Sequence, residues 1–279
     1  AIPVACDIDE TLHMDPQDTE GRLTEKTRAI MPVHYGGSMG RLNELYALAR
    51  KNDLRIIEDA AHAFGSSYKD KIVGSVGDIA CFSFDGIKNI TSGEGGCIVT
   101  SDMECLEKIK DLRLLGVNKD SEKRYKQARS WEFDVTDQGW RYHMSDIMAA
   151  LGRSQLKRFS DISAKRKRTA IHYDELLAKI NNLQIVKQDR ENVVPHLYTV
   201  LLAEGVERDT LREKLESKGI QTGVHYLPNH FLTLYKKKLL AELPVTEAVY
   251  PRLLSLPLHL DLNRDEQKFI ASTLRSYLA

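Results

Sequence analysis

The sequence predicts an α/β fold: a mostly parallel sheet in a large domain, followed by a smaller α+β domain. Two observations predict it. Through the first half, short apolar runs of strand length alternate with amphipathic runs at helical spacing. In the second half this regular alternation gives way to a long helical stretch and then to shorter, mixed elements. Strand–helix alternation favours a parallel sheet, because each crossover lays a helix on one face of it.

In chain order, residues 2–8 and 29–34 read as strands (Ala29-Ile30-Met31-Pro32-Val33-His34). Residues 39–51 read as a helix, with Leu42, Leu45, Tyr46 and Ala49 on one face. Residues 54–57 form a short buried strand, and 79–84 and 97–100 follow as two more. A helix is expected over 102–115. The polar, aperiodic stretch 115–137 reads as a long loop. A helical stretch covers 145–180. Beyond it come strands at 183–187 and 196–202, a helix at 208–218 and a strand at 220–224. Two helices follow Leu227-Pro228, and a last amphipathic helix spans 265–278. The expected division is 1–160 for the large domain and 161–279 for the small one.

Bulk properties exclude several classes of function. The chain has 279 residues, with 40 Lys+Arg against 40 Asp+Glu, so its formal net charge is zero. Nucleic acid is not the expected partner, since phosphate binding needs a basic footprint. The basic stretch Lys157-Arg158 to Lys165-Arg166-Lys167-Arg168 lies in a helical pattern and reads as a solvated face. No segment approaches the roughly 18 apolar residues of a spanning helix, so no membrane partner is expected. The N-terminus shows no export signal. Cys6, Cys81, Cys97 and Cys105 form no Cys-x-x-Cys pair, which suits free thiols in a reducing cytoplasm.

Two stretches carry the chemistry. Ile56-Ile57-Glu58-Asp59-Ala60-Ala61-His62 places an acid directly after an apolar strand and a histidine three residues later. Phe82-Ser83-Phe84-Asp85-Gly86-Ile87-Lys88-Asn89 puts a hydroxyl on a strand and a lysine five residues beyond it. Ser92-Gly93-Glu94-Gly95-Gly96 then turns the chain back. Ligands of open α/β sheets bind at the carboxyl ends of strands. An acid, a ring partner, a hydroxyl and a lysine collected there are what pyridoxal phosphate requires. The lysine amine forms a Schiff base, and the acid keeps the pyridine nitrogen protonated so that the ring is an electron sink. Read singly, Asp59 could be a helix cap, Lys88 a surface charge and the glycines a turn. The glycine run also lacks the closing Gly-Lys-Ser/Thr of a nucleotide-binding loop.

Further stretches extend the pattern: Asp7-Ile8-Asp9-Glu10-Thr11…Asp15-Pro16, Lys26 to His34, and Tyr226-Leu227-Pro228-Asn229-His230. Together they resemble the DegT/StrS family of sugar aminotransferases, which use pyridoxal phosphate. The likeness runs over essentially the whole chain and is most specific around Lys88. It implies the aspartate-aminotransferase-like fold (fold type I) and a part in making deoxyamino sugars and polysaccharides. The implied reaction is amino transfer from glutamate to a nucleotide-linked keto-sugar.

The resemblance also assigns residues. Lys88 would form the Schiff base and shuttle the proton, and Asp59 would pair with the pyridine nitrogen. His62 stands where the family often has Gln, beside the ring hydroxyl, and Ser83 would bind phosphate. Tyr226 and His230 would face the sugar. A sister group of dehydratases has His at the lysine position, so Lys88 favours transamination. Arg141, in Gly139-Trp140-Arg141-Tyr142-His143-Met144, takes the place of an Asn that reaches the partner subunit's cofactor phosphate, and a guanidinium suits that task. A homodimer with interfacial sites is implied. The family's N-terminal phosphate loop would precede Ala1.

Three other readings compete. A truncated, non-catalytic relative could bind a sugar nucleotide or a partner subunit. Val4-Ala5-Cys6-Asp7-Ile8-Asp9-Glu10-Thr11 matches the haloacid-dehalogenase signature, with Asp7 as nucleophile and Asp9 as general acid around Mg²⁺. The later acidic pair of such hydrolases is missing after Gly77-Asp78. Zinc is not expected, because His225 and His230 lack partners at structural-zinc spacing.

Overall fold

The computed structural model describes residues 1–75, 77–117, 134–238 and 241–279. Most of the loop expected over 115–137 lies outside the described residues.

The first helix is α1 (Pro16–Arg22), capped by Asp15, whose side chain accepts the Gln17 N–H. Then come β1 (Ala29–Ile30), α2 (Leu42–Lys51), β2 (Arg55–Asp59), the hairpin β3 (Ser67–Tyr68) and β4 (Lys71–Ile72), β5 (Ile79–Ser83) and β6 (Gly96–Thr100). Helix α3 (Met103–Leu112) starts at Asp102, which accepts the Cys105 N–H at 3.0 Å. The helical stretch is two helices, α4 (Asp146–Lys157) and α5 (Phe159–Leu177). After them follow β7 (Leu183–Ile185), β8 (Tyr198–Leu202), α6 (Arg208–Glu216), α7 (Thr233–Lys236), α8 (Pro244–Val249) and β9 (Leu253–Leu256). The last helix, α9 (Arg264–Leu278), opens with a reciprocal capping box between Asn263 and Glu266.

Two sheets organise the molecule. The first has strand order β1-β2-β5-β6. Its first two pairings are parallel, and β6 runs antiparallel to β5. The antiparallel edge follows from the short glycine-rich return after Lys88, since a parallel neighbour would need a long crossover. On one face lies α2, whose Leu45, Leu48 and Ala49 pack with Ile30 and Ile56. The second sheet, β7-β8-β9, is antiparallel throughout. Its central strand is buried at every residue between α5, α6 and α9. A cluster of Leu12, Val186, Leu201 and Leu253 ties the N-terminal region to this sheet.

Three sequence expectations change. Residues 2–8 form no strand: only Ile8 makes a bridge, to Met14, while Ile2 and Val4 are exposed. Residues 29–34 pair for two residues and again at Val33, because Pro32 has no N–H to offer the ladder. Residues 220–224 give one bridge, Gly223 to Ser255. The strand that completes the second sheet is 253–256, a four-residue apolar run between Pro251 and Pro257 too short to type by periodicity.

Asp7 and Asp9, the hydrolase candidates, have structural work. The Asp7 carboxylate accepts the N–H groups of Val245 at 2.9 Å and Thr246 at 2.8 Å, together with the Thr246 hydroxyl at 2.6 Å. It thereby brackets the N-terminal region to the start of α8. Asp9 Oδ1 accepts the N–H and hydroxyl of Thr11. Burial alone would push the Asp7 carboxyl up, but the hydrogen bonds from Thr246, Val245 and Ile8 together outweigh it and hold the group below its ordinary 3.8. A depressed carboxyl contributes stability that is complete above its unfolded value and lost as pH falls through the folded one. Asp7→Asn is therefore expected to lower stability at pH 7 by on the order of 2 kcal/mol in urea unfolding. It should also flatten the loss of stability below about pH 4. An unchanged acid limb would contradict this bracket.

Candidate active site

The site is built at the carboxyl ends of β2 and β5. Alternation along β2 buries Ile56 and Glu58 on one face and turns Ile57 and Asp59 to the other. Asp59 stands in register with Cys81, and Ser83 lies two residues on along the same face. The Asp59 backbone is fixed on both sides: its N–H donates to Pro32 O at 2.9 Å and its carbonyl accepts the His34 N–H at 3.0 Å. Oδ1 accepts the Ala61 N–H at 3.1 Å, and the described residues give Oδ2 no partner. Behind the sheet, buried Glu58 accepts the Tyr46 hydroxyl at 2.5 Å and meets His34 Nε2 at 2.6 Å.

Lys88 rides a loop that leaves β5 and returns as β6. The base of the loop is closed by Phe84 N–H to Gly95 O at 2.8 Å, Ser92 N–H to Phe84 O at 2.9 Å and an Asp85–Gly93 bridge. Gly96 is required for this return: a Cβ there would lie 2.5 Å from Phe82 O, a backbone atom that cannot swing away. Asn89 fastens the loop from the inside. Its Nδ2 donates to Val194 O at 3.2 Å and His62 O at 3.5 Å, and its Oδ1 lies 3.2 Å from His196 Nδ1. The Lys88 amine makes no hydrogen bond or ion pair with the described residues.

Three imidazoles surround this lysine electrostatically. His62 is buried. Its Nδ1 accepts the Gly36 N–H at 3.4 Å and its Nε2 lies 3.1 Å from the Tyr226 hydroxyl. The His196 ring lies against it, with centroids 4.2 Å apart. Burial, then the Lys88 charge, pushes His62 down to about 4. Burial and the neighbouring His62, Lys88 and Arg166 push His196 down to about 2. His225, whose Nδ1 meets Ser255 Oγ at 2.9 Å, is lowered by burial and then by Lys88. All three are neutral at pH 7, because burial and the neighbouring cations disfavour their charged forms.

The sequence-predicted residues divide into two groups. Lys88, Asp59, His62, Ser83 and Tyr226 meet around the ends of β2 and β5. The Ser83 hydroxyl accepts the Asp85 N–H at 3.3 Å. His230 is not joined to them: it is buried beside Phe231, with Nε2 3.1 Å from Glu247 Oε1. Arg141 is exposed, in a bridge to Leu114, and its guanidinium has no partner among the described residues. Sequence reasoning missed Asn89, His196, His225 and Tyr35. Tyr35 donates to His225 O at 2.6 Å. Asn89 stands next to Lys88, and a buried amide beside a functional lysine was the available signal. His196 comes to the site from the other half of the chain, which no local pattern reveals.

A family model described as the DegT/DnrJ/EryC1/StrS aminotransferase family matches residues 1–275. The chain belongs to this family. Among curated relatives, the spore coat polysaccharide biosynthesis protein SpsC of Bacillus subtilis is 36% identical over 285 residues, 99% of this chain and 73% of SpsC. The putative sugar aminotransferase Spr1654 of Streptococcus pneumoniae, solved in its PLP form, superposes with a TM-score of 0.89 at 31% identity, over 99% of this chain and 75% of that one. DesI, solved in the presence of its TDP-sugar product, superposes with a TM-score of 0.87 at 30% identity, over 98% and 68%. The fold, the enzyme class and the cofactor expected from the sequence stand with these likenesses.

The residues of this DegT-family chain fit pyridoxal phosphate. Asp59 Oδ2 is an open acceptor at a strand end, suited to a protonated ring nitrogen. Lys88 is a half-buried amine with no competing partner among the described residues. His62, near enough to Lys88 to feel its charge, offers a neutral ring. The depressed histidines also make a testable acid limb. A histidine with a folded value near 4 and an ordinary value of 6.5 leaves the folded state short of a proton that the unfolded state binds. Stability is then complete above pH 6.5 and falls as pH drops from 6.5 toward 4. Thermal unfolding across this window should show that slope, and His62→Gln should reduce it. A parent midpoint independent of pH there would refute the neutral assignment.

Proposed function

We propose that this chain transfers an amino group from glutamate to a keto group on a nucleotide-linked sugar, with Lys88 as the covalent anchor of pyridoxal phosphate. The observation that carries the reading is the convergence of Asp59, His62 and Lys88 at the ends of β2 and β5, with the Lys88 amine free of partners among the described residues. A nucleotide-linked substrate is supported by the likeness to DesI, a protein solved with its TDP-sugar product. A polysaccharide role is supported by the likeness to SpsC.

Pyridoxal phosphate, when bound, supplies an electron sink for charge developing at the donor's α-carbon. Asp59, through its open Oδ2, would hold the proton on the pyridine nitrogen. His62 would stand beside the ring hydroxyl as a neutral imidazole. Lys88 Nζ takes the proton from the donor's α-carbon and later returns one in the reverse sense. A cluster of neutral imidazoles around it removes like-charge competition for that proton. Ser83 contributes a hydroxyl toward the phosphate, and Tyr226 presents its hydroxyl on the open side, where the sugar would lie. His230 shapes the small-sheet side through Glu247.

In this reading two copies form the working unit, and Arg141 reaches the partner's phosphate. Its free guanidinium, and the exposed Trp140, Tyr142 and Ile147 around it in sequence, support that role. Four free thiols support a reducing, cytoplasmic setting.

An absorbance titration tests the proposal. Adding pyridoxal phosphate should give a visible band that glutamate bleaches, and Lys88→Ala should abolish both the band and amino transfer. A band that persists in the variant would overturn the role of Lys88. No band in the folded parent would favour a relative that binds sugar nucleotide without catalysis.

A further inference from the structure

Asn89 and His196 bond to neither Asp59 Oδ2 nor the Lys88 amine, yet both are buried at the site. Their hydrogen bonds have a definite sense. The Asn89 amide nitrogen faces two carbonyl oxygens, Val194 O and His62 O, which only a donor can satisfy. Its oxygen therefore faces His196, so His196 Nδ1 must carry the hydrogen it donates across 3.2 Å. His62 is fixed in the opposite sense. Its Nδ1 accepts from the Gly36 N–H, so in the neutral ring Nε2 carries the hydrogen and donates to the Tyr226 oxygen at 3.1 Å. The two rings lie 33° from parallel with centroids 4.2 Å apart, so each limits the rotation of the other.

We propose that Asn89 and His196 are positioning residues of this site. Asn89 ties the Lys88 loop to the 193–196 segment and fixes His196 as its Nδ1–H form. The His196 ring packed against His62 limits its rotation, so that the Gly36 N–H keeps His62 as the Nε2–H form. The inference rests on the proposed roles of Lys88 and His62, and it assigns a further consequence to Tyr226. Because the Tyr226 oxygen accepts from His62, its own hydrogen is directed away from His62. Tyr226, about half exposed, then offers a donor to an oxygen of the incoming substrate. A chain of donors runs from the Gly36 N–H through His62 to Tyr226, with Asn89 and His196 keeping the His62 ring in place within it.

Imidazole ¹⁵N–¹H correlation spectra at pH 7.5 test the arrangement without cofactor. The parent should show His62 as Nε2–H and His196 as Nδ1–H. Asn89→Ala should let His196 exchange between tautomers. A parent His196 in the Nε2–H form, or a His62 in the Nδ1–H form, overturns the proposal whether or not any variant folds. With cofactor, glutamate as donor and labelled 2-oxoglutarate as acceptor, Asn89→Ala and His196→Ala should lower kcat for amino-group exchange roughly tenfold with KM for glutamate unchanged, as misplacement of catalytic groups does. Borohydride should still fix the cofactor on Lys88. His196→Phe, which keeps the stack and loses the donor, should recover part of kcat. A kcat equal to the parent's in both alanine variants also overturns the proposal. A parent in which borohydride attaches no cofactor to Lys88 sinks the functional reading instead, while the spectra still decide the tautomers.

Discussion

The segment 192–196 is the constraint on which the site depends. It leaves the small-sheet half of the chain and threads against the turn after β2, the lysine loop and the turn at Gly36. Asn192 O accepts the Ser67 N–H, Val194 donates to Ser66 Oγ and accepts from Asn89, and His196 N–H reaches Gly36 O. From behind, the buried Arg166 guanidinium holds the carbonyls of Pro195 and His196. Residues 193–200 are buried throughout. A buried extended segment must have its polar groups satisfied. Here the satisfying partners are the turn after β2, the lysine loop and the turn at Gly36, so satisfying one strand's backbone assembles the site from parts remote in sequence.

The same crowding sets the electrostatics. Closing 192–196 onto the loops buries His62 and His196 against each other beside a lysine. Burial disfavours their charged forms, and Lys88 adds like-charge repulsion in the same direction. The neutral rings can then act as fixed-direction hydrogen-bond groups. Tyr226, beside His62, is raised by burial and by Asp59, which keeps its hydroxyl protonated and a donor.

Much of this was legible in the sequence, because the site's main groups sit on local patterns. Asp59 and Ser83 follow from apolar runs that end at a strand terminus, and the Lys88 loop follows from its glycines. The antiparallel return into β6 was less legible, since it depends on how tightly 84–95 closes. His196, Asn89 and His225 were not legible as site residues: their role comes from contacts across more than 100 positions or from the interior of a turn. The strand expected at 2–8 failed for a related reason. Its residues have strand character, but no described strand pairs with them beyond the Ile8–Met14 bridge, and Asp7 is claimed instead by the start of α8.

The adjacent acids Glu58 and Asp59 show how little separates a core residue from a site residue. Both are carboxylates at the end of one strand, and nothing in their chemistry distinguishes them. The two-residue period of β2 turns Glu58 inward, where Tyr46 and His34 satisfy it, and Asp59 outward beside Cys81. A register slip of one residue would exchange them, putting an acid with no partner in the core and a saturated one at the site. Ile56 opposes that slip, because it is buried on the Glu58 face against Leu45 and Leu48. Apolar burial by α2 thus decides which carboxylate stays open at the strand end.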